Sequence, residues 1–173
     1  MNVTTLTLLV LTPFLVWRIY SRLRTAMARQ RSIVSRHWTG LGVFAAMILV
    51  PASELFHRLP MLGWLALGAA AGIGYGVWAF KHTRLEETDE GYYFTPPARL
   101  GILIAMLFTA RILYIGFEMY ANQGSTTPTP RFTDSMLTML ATGLTGGYFG
   151  TISAGLAVWR YKIRKSIGKI DEA

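Results

Sequence analysis

Residues 61–80 read MLGWLALGAAAGIGYGVWAF, a run with no charge, apolar on every side of a helix and marked by a small residue at every fourth place. A helix rises about 1.5 Å per residue, so about 20 such residues cover the roughly 30 Å hydrocarbon core of a bilayer. A membrane strand would instead alternate apolar and polar side chains over about ten positions, and this stretch does not alternate. Four further runs of similar character lie on either side of it, at 3–20, 39–56, 100–120 and 136–159. The reading is an all-α integral membrane protein, a single domain over 1–173 built as a five-transmembrane-helix bundle.

Composition agrees. Of 173 residues, 52% are hydrophobic and 15% charged, with a mean hydropathy of +0.36. Soluble domains carry about 25% charged residues. The excess of 17 Lys+Arg over 9 Asp+Glu is the kind of balance nucleic-acid binders show, but the apolar runs override that reading and no nucleic-acid partner is expected. The absence of cysteine excludes disulfides, thiolate metal sites, Cys nucleophiles and CxxC redox chemistry.

Orientation follows from the cations, which favour the cytoplasmic side. Arg18, Arg22, Arg24, Arg29, Arg31 and Arg36 follow the first run. Lys81, Arg84 and Arg99 lie between the third and fourth, and Arg160, Lys162, Arg164, Lys165 and Lys169 follow the fifth. Only Arg58 and Arg131 fall on the other side, and Arg111 falls inside a span. The expected topology is N-out, C-in. The flank before the first run, Met1-Asn2-Val3-Thr4-Thr5, has no cation, so the run reads as a retained span rather than a cleaved signal. Trp17, Tyr20, Trp38, Trp64, Trp78, Phe80, Tyr120 and Trp159 stand where interfacial aromatics are favoured.

The loops differ in character. The first, 18–37, is polybasic with no acid, which suits the headgroups of an anionic cytoplasmic leaflet. Residues 82–99 carry a polar Glu87-Thr88-Asp89-Glu90 turn between two short segments, then Pro96-Pro97, the pattern of a short cytoplasmic β-hairpin between helices 3 and 4. Its acids lack the ligand spacing of a calcium loop, and no metal or other cofactor is expected. The outer loop, 123–135, reads as an extended connector.

Two runs carry small-residue ridges suited to close helix approach in lipid: Gly68, Gly72 and Gly76 in the third, and Gly143, Gly147 and Gly155 in the fifth. Packing of these two runs within one chain is expected, with a homodimer seam as the alternative.

Arg111 stands about eleven residues into the fourth run, so its charge needs an anion or a water path. Glu118 lies at i+7 with Tyr114 between them, and Glu54 lies at the end of the second run with His57 at i+3. An intramembrane polar cluster of Arg111, Glu54, Glu118, His57 and Tyr114, opening outward, is the expectation. It fits either a structural clamp or a solute pathway. Glu54-x-x-His57 alone has too few carboxylates for a di-metal site. No hydrolase, metalloprotease or phosphate-loop motif occurs, and no catalytic residue is assigned.

The third run leading into His82-Thr83-Arg84-Leu85-Glu86, the strand Gly91-Tyr92-Tyr93-Phe94-Thr95, and Ala110-Arg111-Ile112-Leu113 in the fourth run together resemble the CcdC-like group of small bacterial membrane proteins. That resemblance implies a multi-pass protein of the bacterial inner membrane with an accessory role linked to cytochrome c biogenesis. With no cysteine, thiol–disulfide exchange is excluded as its contribution. The functional expectation is a non-enzymatic accessory or scaffold protein with a membrane-protein partner. A small transporter or permeation subunit is the alternative.

Overall fold

A computed structural model describes residues 3–26, 28–89, 91–121 and 132–170. It holds five long helices, α1 (Val3–Ala26), α2 (Val34–Glu54), α3 (Leu59–Lys81), α4 (Ala98–Ala121) and α5 (Met136–Ile170). Three short strands accompany them, β1 (Gln30–Arg31), β2 (Arg84–Thr88) and β3 (Gly91–Thr95), with a single 3-10 turn at Phe132–Asp134. Most of the outer connector lies outside the described residues.

The helices run past the apolar stretches. α1 continues through Arg18, Arg22 and Arg24, and α5 through Arg160, Lys162, Arg164 and Lys165. Arg and Lys are good helix formers, and cations toward a helix C-terminus suit its dipole. The polybasic first loop is therefore mostly helix, with only a short segment around β1 joining α1 to α2.

That segment pairs with the hairpin. β2 and β3 are antiparallel, with Arg84 opposite Thr95 and Thr88 opposite Gly91. β1 adds to the free edge of β3, with Gln30 opposite Phe94 and Arg31 opposite Tyr93. The expected two-stranded hairpin is thus a three-stranded sheet in the order β1-β3-β2. Gly91 has φ +135°, a conformation that side-chain-bearing residues rarely adopt. The sheet brings the α1–α2 and α3–α4 connections to one end of the molecule, called here the sheet end. At the opposite end α2 and α3 are joined by a tight turn in which the Arg58 N–H donates to the Leu55 carbonyl at 2.8 Å.

α5 is the central helix, with α2, α3 and α4 packed on it, while α1 lies against α4. The α3–α5 seam is glycine on glycine. A Cβ on Gly68 or Gly72 would collide with the carbonyl oxygens of Leu140 or Leu144, and one on Gly143 with that of Leu65. Gly147 backs onto the Ala69 carbonyl, Gly76 onto Thr151, and Gly155 onto the Phe80 ring. The ridge is used inside the chain, in the α3–α5 seam. Two apolar clusters close the bundle: Ala79, Phe94, Ile104, Tyr148, Ile152 and Leu156 toward the sheet end, and Leu55, Leu65 and Met139 toward the turn end.

α3 and α4 are long and apolar enough to cross a membrane, yet only 22% and 11% of their most apolar stretches are buried within the chain. A core helix of a water-soluble domain would be mostly buried. Leu67, Ile73, Leu103, Leu107 and Phe117 stand exposed along them. α5 is less apolar because glycine and threonine replace larger side chains along its packed faces.

Candidate functional site

Arg111 organises the half of α4 away from the sheet end. Its Nε–H donates to Thr138 Oγ1 at 2.9 Å and its Nη2 to Ser135 Oγ at 2.6 Å. Its guanidinium carbon lies 5.0 Å from the Tyr114 ring centre. Thr138 is fully buried on α5, and Ser135 immediately precedes that helix. The expected carboxylate pairing is not found. Among the described residues the ion pairs are Arg29–Glu86 and Arg58–Asp134, and neither Glu54 nor Glu118 reaches Arg111.

Depth explains the difference. The Arg111 Cα lies well inside the fourth apolar run, but the flexible side chain carries its charge to the very start of α5, one residue from Asp134, where Arg58 docks. A long cationic side chain that buries its stem and delivers its head to a polar level is a familiar economy. Glu118 lies seven residues, about 10 Å, further along α4, too far for that geometry. The cluster expected at mid-span is therefore a hydroxyl clamp tying α4 to the start of α5.

Glu54 and His57 go elsewhere. Both are exposed. Glu54 lines a groove of about 830 Å³ between α2 and α4, shared with Met47 and Val50, with Phe108, Ile112 and Met119, and with Thr142 of α5. Among the described residues of that lining, Glu54 is the only ionisable side chain. The groove exists because α2 and α4 each dock on α5 without closing on one another. Thr142 and Thr145 return their hydroxyls to the carbonyls of Thr138 and Ala141 at 2.7 and 2.8 Å, so their polar atoms are satisfied within their own helix.

The arginines expected to meet lipid headgroups divide into three sets. Arg18, Arg22 and Arg24 are exposed on the last turns of α1. Arg29 is held by Glu86 at 2.8 Å and sits 4.2 Å over the Tyr93 ring, which ties the α1–α2 connection to the hairpin. Arg31 stands on β1, and Arg36 is exposed in the first turn of α2.

His37, also in that first turn, is buried at the sheet end. It shares a 2.8 Å hydrogen bond with Ser32 Oγ and meets the edge of Phe94. Burial, with the nearby Arg160 cation second, holds its imidazole below the ordinary 6.5, so it is neutral at neutral pH.

Ser135, Thr138, Ser32 and Arg160 were not singled out by sequence reasoning. An Arg in an apolar run does signal a search for partners, but hydroxyls on another helix satisfy it as well as carboxylates do. No group of three or more His, Asp or Glu that could hold a metal occurs among the described residues.

Compared with protein-family models, curated proteins and solved structures, the chain matches none.

Proposed function

We propose that the chain is a five-span, non-enzymatic accessory protein of a bacterial inner membrane, N-out and C-in, with its sheet end in the cytoplasm. The Arg111 clamp is the observation that carries the functional part. Arg111 joins α4 to Ser135 and Thr138 through two hydrogen bonds, an arrangement that fixes the register of α4 against the start of α5, as a scaffold needs.

The span count has its own support. α3 and α4 qualify by length and apolarity, and β1 pairing with β3 puts two alternate connections, α1–α2 and α3–α4, at one end, as up-and-down spans require. α5 is shielded from lipid by three neighbouring helices and so tolerates threonines that a lipid-facing helix would not. The resemblance to the CcdC-like group supplies the setting, an accessory role beside cytochrome c biogenesis without thiol chemistry.

The groove between α2 and α4, with Glu54 on its wall, is what favours the second reading, a small-solute permeation subunit. The chain has no native cysteine, so a single Tyr114→Cys variant separates the two. In intact cells a membrane-impermeant maleimide should leave Tyr114→Cys unmodified while modifying His57→Cys. Rapid modification at position 114 would show water reaching the Arg111 level and would support permeation.

A further inference from the structure

One buried imidazole fastens the sheet to the helices. His37 of α2 shares its 2.8 Å hydrogen bond with Ser32 Oγ and meets the Phe94 ring of β3 edge-on, 5.6 Å between centres. Ser32 directly follows β1, and its N–H donates to the Tyr92 carbonyl at 2.7 Å. Ser32 thus extends the β1–β3 ladder with its backbone and ties that ladder to α2 with its side chain. Both residues are 6% exposed. The rest of the attachment of β1 is slight. The strand is two residues long and pairs with β3 at two positions. Arg29 beside it adds an ion pair with Glu86, but both side chains are about half exposed, and such pairs hold weakly in water. Among the described residues α1, just before it, leans mainly on α4.

This tie suits a neutral ring only. A charged imidazole in the same place gives up its water. It would also stand among cations: Arg160 of α5, whose charge acts on the ring, and Arg36 of α2 and Arg31 of β1, which border the cavity that His37 lines. Among the described acids of the sheet, Glu87 lies opposite Tyr92, on the face that carries Phe94. Glu86 lies on the other face, held by Arg29, and Asp89 stands in the turn beyond Thr88. Tyr92 and Tyr93 carry the phenols of β3. Of these groups imidazole alone belongs to the class that ordinarily changes charge between about pH 5 and 8.

We propose that β1 is an acid-released latch: when His37 takes up a proton, Ser32 leaves it, β1 parts from β3, and the α1–α2 connection comes free of the sheet. Linkage sets the direction. The open form binds the proton at the ordinary 6.5 and the closed form at a lower value, so the latch is shut above about pH 6.5 and opens as pH falls. One proton raises the ratio of open to closed by at most about tenfold per pH unit. The latch goes beyond the scaffold reading and works whichever side of the membrane the sheet end faces.

The test is a spin-label distance between the exposed positions Ala28, just before β1, and Ser166 on α5, each changed to Cys in the full chain in detergent. Double electron–electron resonance should give one distance at pH 7.5 and a second, growing population as the pH is lowered to 5.0. The second population should be absent with His37→Gln added. It should persist with Glu86→Gln or Glu87→Gln added, since carboxylates ordinarily titrate near about pH 4. Circular dichroism reports folding of each variant. If His37→Gln does not fold, imidazole nitrogen-15 shifts of the parent chain decide, assigned with His57→Gln and His82→Gln: the His37 ring must titrate over the same pH interval as the distance change. A parent distance unaltered down to pH 5.0, a response that survives His37→Gln or disappears with either Glu variant, or a His37 titration in a separate interval would each overturn the proposal.

Discussion

Adding one methyl group at Gly147 tests the seam on which the bundle is built. A Cβ there would stand 2.5 Å from the Ala69 carbonyl oxygen, 3.0 Å from the Ile73 nitrogen and 3.2 Å from the Gly72 Cα. Ordinary contact begins at 3.4 Å, so α3 and α5 must separate by about 0.9 Å at this point. The obstructing atoms are backbone, and no side chain can swing away to make room. Overpacking of this kind costs about 1–3 kcal/mol, or about 3–10 °C in Tm for a chain of this size. Gly74→Ala is the control. It lies on the same helix as Gly72 with nothing within 4 Å of its would-be Cβ, and relief of glycine's backbone entropy should leave it neutral or stabilise it by up to about 1 kcal/mol. Thermal unfolding in detergent, read from Trp64, Trp78 and Trp159 fluorescence, measures both. Gly72→Ala and Gly147→Ala combined should cost less than their sum, because one separation accommodates both methyl groups. A Gly147→Ala protein as stable as the parent, or a Gly74→Ala protein destabilised equally, would refute the seam.

Two further perturbations address the polar groups. Arg111→Met removes both hydroxyl contacts between α4 and α5 and should cost on the order of 1–3 kcal/mol by the same unfolding assay, whereas Glu54→Gln and Glu118→Gln should leave Tm unchanged. Destabilisation by either Gln variant matching that of Arg111→Met would restore the carboxylate pairing that the structure lacks. His37 is held below its ordinary 6.5 by burial first and Arg160 second, so below that pH the unfolded chain takes up a proton that the folded chain refuses. Its contribution to stability should be complete above about pH 6.5 and decline as pH falls from there toward its lower folded value. His37→Gln should flatten that part of the stability–pH profile, and an unchanged slope would remove His37 as its source.

What could be read from the sequence follows physical range. Helices announce themselves locally, so the five apolar runs each became a helix, and the four-residue spacing of Gly68, Gly72 and Gly76 encodes one helix face without reference to anything distant. The helix ends were hidden because Arg22 or Lys162 says nothing about whether a helix stops at a polar boundary or runs through it. β1 was hidden because Gln30–Arg31 is too short to carry an alternation, and its partners Phe94 and Tyr93 lie more than sixty positions away. The clamp was half legible. Arg111 stood out as costly, but the search for anions passed over Ser135 and Thr138, since hydroxyls are ordinary in a glycine- and threonine-rich helix. Arg160 looked like one more cation in a basic tail until the hairpin placed Tyr92 beneath it.

The central claim, five alternating spans with the sheet end in the cytoplasm, is tested most directly by single-cysteine accessibility at five exposed positions. Ala28, His57, Glu87, Asp134 and Ser166, each changed to Cys in turn, sample each end of the bundle between successive helices and in the last turns of α5. The account predicts that an impermeant maleimide modifies positions 57 and 134 in intact cells, and positions 28, 87 and 166 only after permeabilisation. Positions 28 and 57 on one side, or 134 and 166 on one side, would mean that α2 or α5 does not cross, and would contradict the five-span account.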